Sequence, residues 1–160
     1  MEHSQHSTNP RTDAALSREL YQAYLEELAA ITSYSYYRII TQKDLPAAAA
    51  LFAEISMDEM HHFLHLGELL LSRGVSPAVD VRLRDTPIRI LCDRDSHVPV
   101  ITRRLLTANV AEERKAAANY RRLAERIGAG PNQKMLLEMA AEEEGHADAQ
   151  EALARRLGAS

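Results

Sequence analysis

Two short segments of the chain carry acids and histidines at a spacing that suits a shared metal ion. In "MDEMHHFLHL", Glu59 is followed three positions later by His62, and in "EEEGHAD" Glu143 is followed three positions later by His146. Helical residues three apart lie on one face, so a single ion can bind both side chains. Glutamate is abundant in this chain, so the two pairs gain weight only from the elements that position them.

Apolar residues recur at intervals of three and four along most of the chain, which predicts long helices. A first helix is expected over about residues 12–42. A second is expected to begin at Pro46, with Asp44 as its N-cap, and to stop at Gly74, because glycine suits the residue after a helix. The apolar positions of this second helix are Leu51, Ile55, Leu64, Leu66 and Leu69.

The second half of the chain repeats this organisation. A third helix is expected from a cap at Asp95 or Ser96 to Gly128, and a fourth from Pro131 to the final "LGAS". The only alternating β-branched segment is "VDVRLRDTPIRIL", which lies in the connection over residues 74–96. That connection could extend to roughly 75 Å, enough to travel the length of a bundle. Short, long and short connections predict an all-α, antiparallel four-helix bundle with one crossover between helices two and three.

The middles of helices one and three each carry two adjacent glutamates, and a second signal distinguishes them. Glu27 is followed seven positions later by Tyr34, and Glu113 is followed seven positions later by Tyr120. Residues two turns apart share a helix face. Each half of the chain therefore reads Glu, Tyr at the seventh following position, then Glu-x-x-His. The two glutamates are separated by 32 residues in the first half and by 30 in the second.

This internal repeat brings four carboxylates and two imidazoles to one buried level of the bundle. Such groups are costly to bury unless they are paired or bind a metal. Two divalent cations would balance the four negative charges. Ligands dominated by carboxylates, with one nitrogen per ion, suit iron or manganese better than structural zinc, which favours cysteine and histidine.

Over about residues 17–157 the chain resembles the ferritin-like di-iron carboxylate superfamily, which includes rubrerythrins, bacterioferritins and manganese catalases. The segments "EELAAITSY", "MDEMHHF", "NVAEERKAAANY" and "AAEEEGHAD" are similar to the ligand segments of its four helices. The nearest resemblance is to small rubrerythrin-like or bacterioferritin-like proteins without a rubredoxin module. It implies a ferritin-like bundle whose metal ligands are Glu27, Glu59, His62, Glu113, Glu143 and His146.

The same resemblance implies the roles of these residues. Glu59 and Glu143 would bridge two metal ions, and Tyr34 and Tyr120 would hydrogen-bond to ligating carboxylates. The expected cofactor is two iron ions per chain, with two manganese ions or a mixed Mn/Fe pair as alternatives. Met60 follows Glu59 as the haem-binding methionine does in bacterioferritin, but we expect no haem.

The function implied is a dinuclear metal oxidoreductase in which Fe(II) reacts with O2 or H2O2, as a ferroxidase or a rubrerythrin-like peroxidase. A manganese catalase and a non-catalytic iron-binding or storage subunit are the alternatives. Rubrerythrins often carry an extra glutamate one turn before the third-helix ligand, where this chain has Val110. The chain also has no Cys-x-x-Cys pair, so we expect any electron donor to be another, unidentified protein.

Composition narrows the partners and the location. The net charge is −4, which does not favour nucleic acid or an anionic membrane, and no apolar stretch is long enough to span a bilayer. The single cysteine, Cys92, and a start without signal-peptide features predict a cytoplasmic protein. We expect residues 1–11 to be a disordered tail, residues 12–160 to form one domain, and the domain to pair as a homodimer.

Overall fold

The chain folds as two helical hairpins packed side by side. The computed structural model describes residues 10–79 and 98–158, with side chains over 14–79 and 102–158. Its helices are α1 (Pro10–Thr41), α2 (Pro46–Ser72), α3 (Val98–Ile127) and α4 (Pro131–Gly158). α1 packs mainly on α2 and α3 mainly on α4, while the hairpins meet through α1 with α3 and α2 with α4. The described residues contain no strand, so the predicted all-α four-helix bundle is confirmed.

Three predictions fall wholly or mostly outside the described residues. They concern the tail over residues 1–11, the cap of α3 at Asp95 or Ser96, and the alternating segment over residues 79–91. α1 begins at Pro10, two residues before the predicted start, and so takes in the last two residues assigned to the tail. Within the described residues, no helix is both long and apolar enough to cross a membrane.

The ends of α2 show one prediction that is confirmed and one that is wrong. Gly74 follows the helix with a φ of 73°, a conformation that glycine adopts without strain. Its N–H donates to the Leu71 carbonyl over 2.9 Å, which satisfies a carbonyl at the helix end. At the other end the N-cap is Leu45 and not Asp44, and no side chain caps the helix. The reason is packing, because Leu45 lies against the apolar core.

The core consists of two apolar clusters separated by a polar layer. The first, near the N-terminus of α1, includes Leu20, Leu70, Leu123 and Leu136. The second, near the N-terminus of α2, includes Phe52, Ile55, Leu106 and Leu153. The middle turns of all four helices lie between the two clusters. Side chains in those turns are therefore buried by apolar groups from both ends of the bundle.

Leu64 is the exception among the apolar residues expected to face the core from α2. Its side chain is 55% exposed, whereas Leu66 and Leu69 are buried as predicted. The apolar surface of α2 is wider than the stripe that packs against its neighbours. Part of it faces outward.

Candidate metal centre

Six ionisable side chains meet in the polar layer between the two apolar clusters. Every helix contributes at least one of them, and none is more than 7% exposed. They are Glu27 from α1, Glu59 and His62 from α2, Glu113 from α3, and Glu143 and His146 from α4. The structure thus brings together all six residues selected from the sequence. Whether they bind metal stays a prediction.

Two glutamates lie between the two histidines and face both of them. Glu59 places Oε2 3.4 Å from His62 Nδ1 and Oε1 3.6 Å from His146 Nδ1. Glu143 places Oε1 3.1 Å from His62 Nδ1 and Oε2 3.5 Å from His146 Nδ1. Each carboxylate therefore offers one oxygen to each side, which is the arrangement that a bridging ligand needs.

The other two glutamates each face a single histidine. Glu27 Oε2 lies 3.7 Å from His62 Nδ1, and Glu113 Oε2 lies 3.7 Å from His146 Nδ1. The result is two overlapping groups in which one atom from each residue lies within 4.8 Å of the others. The groups are Glu27, Glu59, His62 and Glu143, and Glu59, Glu113, Glu143 and His146.

The outer nitrogen of each imidazole contacts an acid on the opposite hairpin. His62 Nε2 lies 2.7 Å from Glu142 Oε2, and His146 Nε2 lies 3.1 Å from Asp58 Oδ2. An ionised carboxylate only accepts, so Nε2 is the donor and Nδ1 can turn a lone pair toward the cluster. This is the tautomer that a metal ligand requires.

Hydrogen bonding provides a test of whether a metal fits. Among the described residues, four buried atoms that face the cluster have no hydrogen-bond partner: Glu27 Oε2, His62 Nδ1, Glu143 Oε1 and His146 Nδ1. His62 Nδ1 and Glu143 Oε1 are only 3.1 Å apart, yet they are not aligned as a hydrogen bond. Buried polar atoms are seldom left unpaired. Two divalent cations with oxygen and nitrogen ligands would satisfy them, so this donor set fits a dinuclear metal site.

Sequence comparison assigns the family. A family model of the ferritin-like domain matches residues 18–159, a range that contains all six residues of the cluster. The chain belongs to the ferritin-like family. No curated protein and no solved structure matches it. The rubrerythrin-like or bacterioferritin-like subtype therefore stays a prediction.

In this ferritin-like bundle, two buried tyrosines support the glutamates of the opposite hairpin. The Tyr34 hydroxyl on α1 donates to Glu113 Oε1 on α3, and the Tyr120 hydroxyl on α3 donates to Glu27 Oε1 on α1. Each bond occupies one carboxylate oxygen and leaves the other, Oε2, toward the histidines. Gln150 adds a second donor at Glu113 Oε1 over 2.9 Å.

The sequence pattern did not predict the contacts of Glu142, Gln150 or Asp58. A signal for the two acids was present, because an acid stands directly before each Glu-x-x-His pair, as Asp58 and Glu142. Gln150 has no such signal, since the equivalent position in the first half of the chain is Leu66.

Electrostatics inside the cluster are dominated by burial and by the opposed charges. Burial raises the pKa of Glu27 to about 10 and that of Glu113 to about 7. Burial alone would lower the pKa of an imidazole, but the surrounding carboxylates outweigh it and raise the pKa of His146 to about 12. The pKa of His62 is raised for the same reasons. Protons and metal ions therefore compete for this cluster.

A groove of about 830 Å³ between α1 and α3 reaches the cluster from the surface. Its lining includes Glu27, Glu59, Glu113 and Glu143. Its walls carry small side chains at Ala29, Ala30 and Ala116, together with tyrosine rings. Small molecules can therefore approach the carboxylates from this side, while the apolar clusters close the two ends of the bundle.

Proposed function

We propose that this ferritin-like bundle is a di-iron oxidoreductase that oxidises Fe(II) with O2 or H2O2, as a ferroxidase or a rubrerythrin-like peroxidase. The observation that carries the proposal is the pair of overlapping groups, each with three glutamates and one histidine, that share Glu59 and Glu143. Oxygen-rich ligation with one imidazole per ion suits iron or manganese. Four carboxylates against two divalent ions leave the buried layer near neutrality.

In this proposal Glu27 and His62 would hold one ion, Glu113 and His146 would hold the other, and the shared residues Glu59 and Glu143 would contribute to both groups. When bound, two Fe(II) ions would supply one electron each, which with two protons reduces O2 to H2O2 or H2O2 to two molecules of water. The four glutamates come from four different helices, and the packing of those helices fixes where each carboxylate would meet an ion. Its negative charge favours the more highly charged oxidised iron.

The remaining residues control orientation and access. The hydroxyls of Tyr120 and Tyr34 hydrogen-bond to Oε1 of Glu27 and Glu113, so that Oε2 of each glutamate would face an ion. Glu142 and Asp58 hold the imidazole rings. The groove between α1 and α3 supplies a path for Fe(II) and the oxidant to a layer whose two ends are closed by the apolar clusters.

The two forms of the reaction differ in their need for a partner. A ferroxidase needs no electron donor, because Fe(II) is itself the substrate, whereas a peroxidase needs an external donor protein. Val110 is buried one turn before Glu113 and supplies no additional carboxylate, which favours the ferroxidase form. The single cysteine favours a cytoplasmic location.

The test begins with metal-free protein titrated with Fe(II) without oxygen. We expect two ions per chain, followed on addition of O2 or H2O2 by the near-ultraviolet absorbance of ferric iron. Glu59→Gln and Glu143→Gln should lose the site, whereas Glu54→Gln and Glu144→Gln, at acids outside the cluster on the same two helices, should keep it. The faster oxidant separates ferroxidase from peroxidase. Binding far from two ions per chain would refute the proposal, and rapid release of O2 from H2O2 by manganese-loaded protein would favour a manganese catalase.

We also propose that two copies pair through α2. Met57, Met60, Leu64 and Leu71 are all at least 40% exposed, and three of them are spaced by seven residues. In an antiparallel pairing about a two-fold axis, Leu64 would meet its own copy, and Met57 would meet the partner's Leu71. The row is therefore complementary to itself, which an isologous dimer requires.

Light scattering tests this pairing. We expect a dimer, and Leu64→Glu should yield monomers because it places like charges on the two-fold axis. Leu137→Glu, at an exposed leucine on α4, is the matched control and should stay dimeric. A wild-type monomer would refute the dimer, and a large hollow assembly would instead support iron storage.

A further inference from the structure

One buried residue breaks the symmetry between the two halves of the metal centre. Gln150 lies on α4, seven positions after Glu143, and is fully buried. Its Nε2 donates to the Tyr34 hydroxyl over 3.0 Å and to Glu113 Oε1 over 2.9 Å. The orientation of the amide follows from chemistry, because an ionised carboxylate accepts hydrogen bonds and so must face the NH2 group.

The equivalent position in the first half of the chain cannot make these bonds. Leu66 lies seven positions after Glu59, is also fully buried, and packs in the same apolar cluster as Tyr120. Glu27 Oε1 accepts a hydrogen bond from the Tyr120 hydroxyl, whereas Glu113 Oε1 accepts hydrogen bonds from both Tyr34 and Gln150.

Two donors on one oxygen restrict what the Glu113 carboxylate can do. Its Oε1 is engaged by neutral donors on two sides, which leaves Oε2 toward His146. Turning the carboxylate so that both oxygens reach an ion would break two hydrogen bonds. Glu27 would break only its bond with Tyr120 in the same movement, and it can do so more readily.

We propose that Gln150 is a positioning residue that makes the two metal positions unequal. It holds Glu113 in a one-oxygen binding mode, so that the ion beside His146 is bound more tightly and exchanges less readily than the ion beside His62. The proposal rests on the proposed dinuclear site. It assigns the fixed half of the centre to Glu113 and the adjustable half to Glu27.

The two hydrogen bonds of Gln150 come with a cost to stability. Gln150 Oε1 is buried and has no hydrogen-bond partner among the described residues, and an unpaired buried acceptor is unfavourable. Leu66 shows that an apolar side chain packs well at the corresponding place in the other half. A glutamine that leaves its own oxygen unpaired and donates to a candidate metal ligand is better explained by its effect on that ligand.

The test is a titration of metal-free protein with Mn(II) alone, followed by the electron paramagnetic resonance signal of the free ion. Wild-type protein should bind two ions in two distinguishable steps. Gln150→Met keeps the volume but removes the donor, and it should weaken the tighter step roughly 10–100-fold, the usual effect of losing a partner of a metal ligand. Leu66→Met makes the matched change in the other half and should alter neither step.

Single-site backgrounds locate the effect. In His62→Ala only the position beside His146 keeps its histidine, and there Gln150→Met should weaken binding by the same factor. In His146→Ala, Gln150→Met should change nothing. Gln150→Leu, which copies Leu66, is the second variant if Gln150→Met does not fold.

The outcomes separate the inference from the proposed function. Two wild-type ions that bind with equal affinity, or unchanged steps in both Gln150 variants, would overturn the role of Gln150 and leave the dinuclear site intact. A wild-type protein that binds no Mn(II) or Fe(II) would overturn both.

Discussion

Neutralising Glu142 should weaken metal binding while leaving the fold intact. Its carboxylate lies 2.7 Å from His62 Nε2, and its side chain is 56% exposed, so Glu142→Gln removes a charge at the surface of the bundle. The wild-type carboxylate keeps the proton on Nε2 and makes Nδ1 a stronger donor toward the cluster. Losing such a partner typically costs 10–100-fold in metal affinity, about 1.4–2.7 kcal/mol.

Two further variants calibrate this effect. Asp58→Asn makes the same change at His146, where the contact is 3.1 Å, and the longer contact predicts a loss near the lower end of the range. Glu144→Gln is the control, because Glu144 is also on α4 but pairs with Arg121 over 2.8 Å and does not join the cluster. It should bind metal like the wild type.

The assay is competition for Mn(II) against a chelator of known affinity, with helicity measured on the same samples. We expect affinities in the order wild type and Glu144→Gln, then Asp58→Asn, then Glu142→Gln. Wild-type affinity in Glu142→Gln would refute the assignment of His62 Nδ1 to the metal. An equal loss in Glu144→Gln would show that general surface charge, and not the imidazole contact, controls affinity.

Three further predictions follow from the same geometry. At a free metal concentration of a hundred times Kd, bound metal should stabilise the fold by about 2.7 kcal/mol. In a thermal melt this is a Tm rise of roughly 5–11 °C that a chelator reverses. An unchanged Tm would contradict binding to the folded state. The pKa values of both cluster imidazoles are raised, so a metal ion must displace their protons and metal affinity should rise with pH. An indicator dye should detect at least two released protons as both positions fill, and binding without proton release would contradict this. Tyr120→Phe should lower the free energy of unfolding of the metal-free protein, measured in urea, by about 1–3 kcal/mol, because it leaves Glu27 without a donor on Oε1. Tyr34→Phe should lower it less, because Gln150 still donates to Glu113. Equal losses would argue against a supporting role for Gln150.

The six cluster residues could be predicted because each half of the chain repeats the same spacing. Four helices of similar length place mid-helix residues at one level, so a repeat along the sequence becomes a cluster in space. Glu27 is distinguished from the adjacent glutamate only by Tyr34, which follows it two turns later. The structure shows that Tyr34 contacts the glutamate of the other half, Glu113, and not Glu27 itself.

Features that depend on packing between helices could not be predicted in this way. Asp44 has the right chemistry for a cap, but the packing of half-buried Leu45 against the core sets the start of α2. Leu64 fits the apolar period of α2, yet the sequence does not say which apolar residues face a neighbour within the same chain. Gln150 carries no signal at all, because a single glutamine in a helix resembles any polar surface residue.

Apart from the bond from Gln150 to Glu113, the supporting contacts around the cluster join one hairpin to the other. Tyr34 and Tyr120 link α1 with α3, while the contacts of His62 with Glu142 and of His146 with Asp58 link α2 with α4. Neither hairpin alone supplies either group of possible ligands, since the shared residues Glu59 and Glu143 come from different hairpins. The apolar clusters dock the hairpins at the two ends of the bundle, and the polar layer between them lacks that driving force. A dinuclear metal site there would supply a driving force for docking. Metal binding would then be coupled to the docking of the two hairpins.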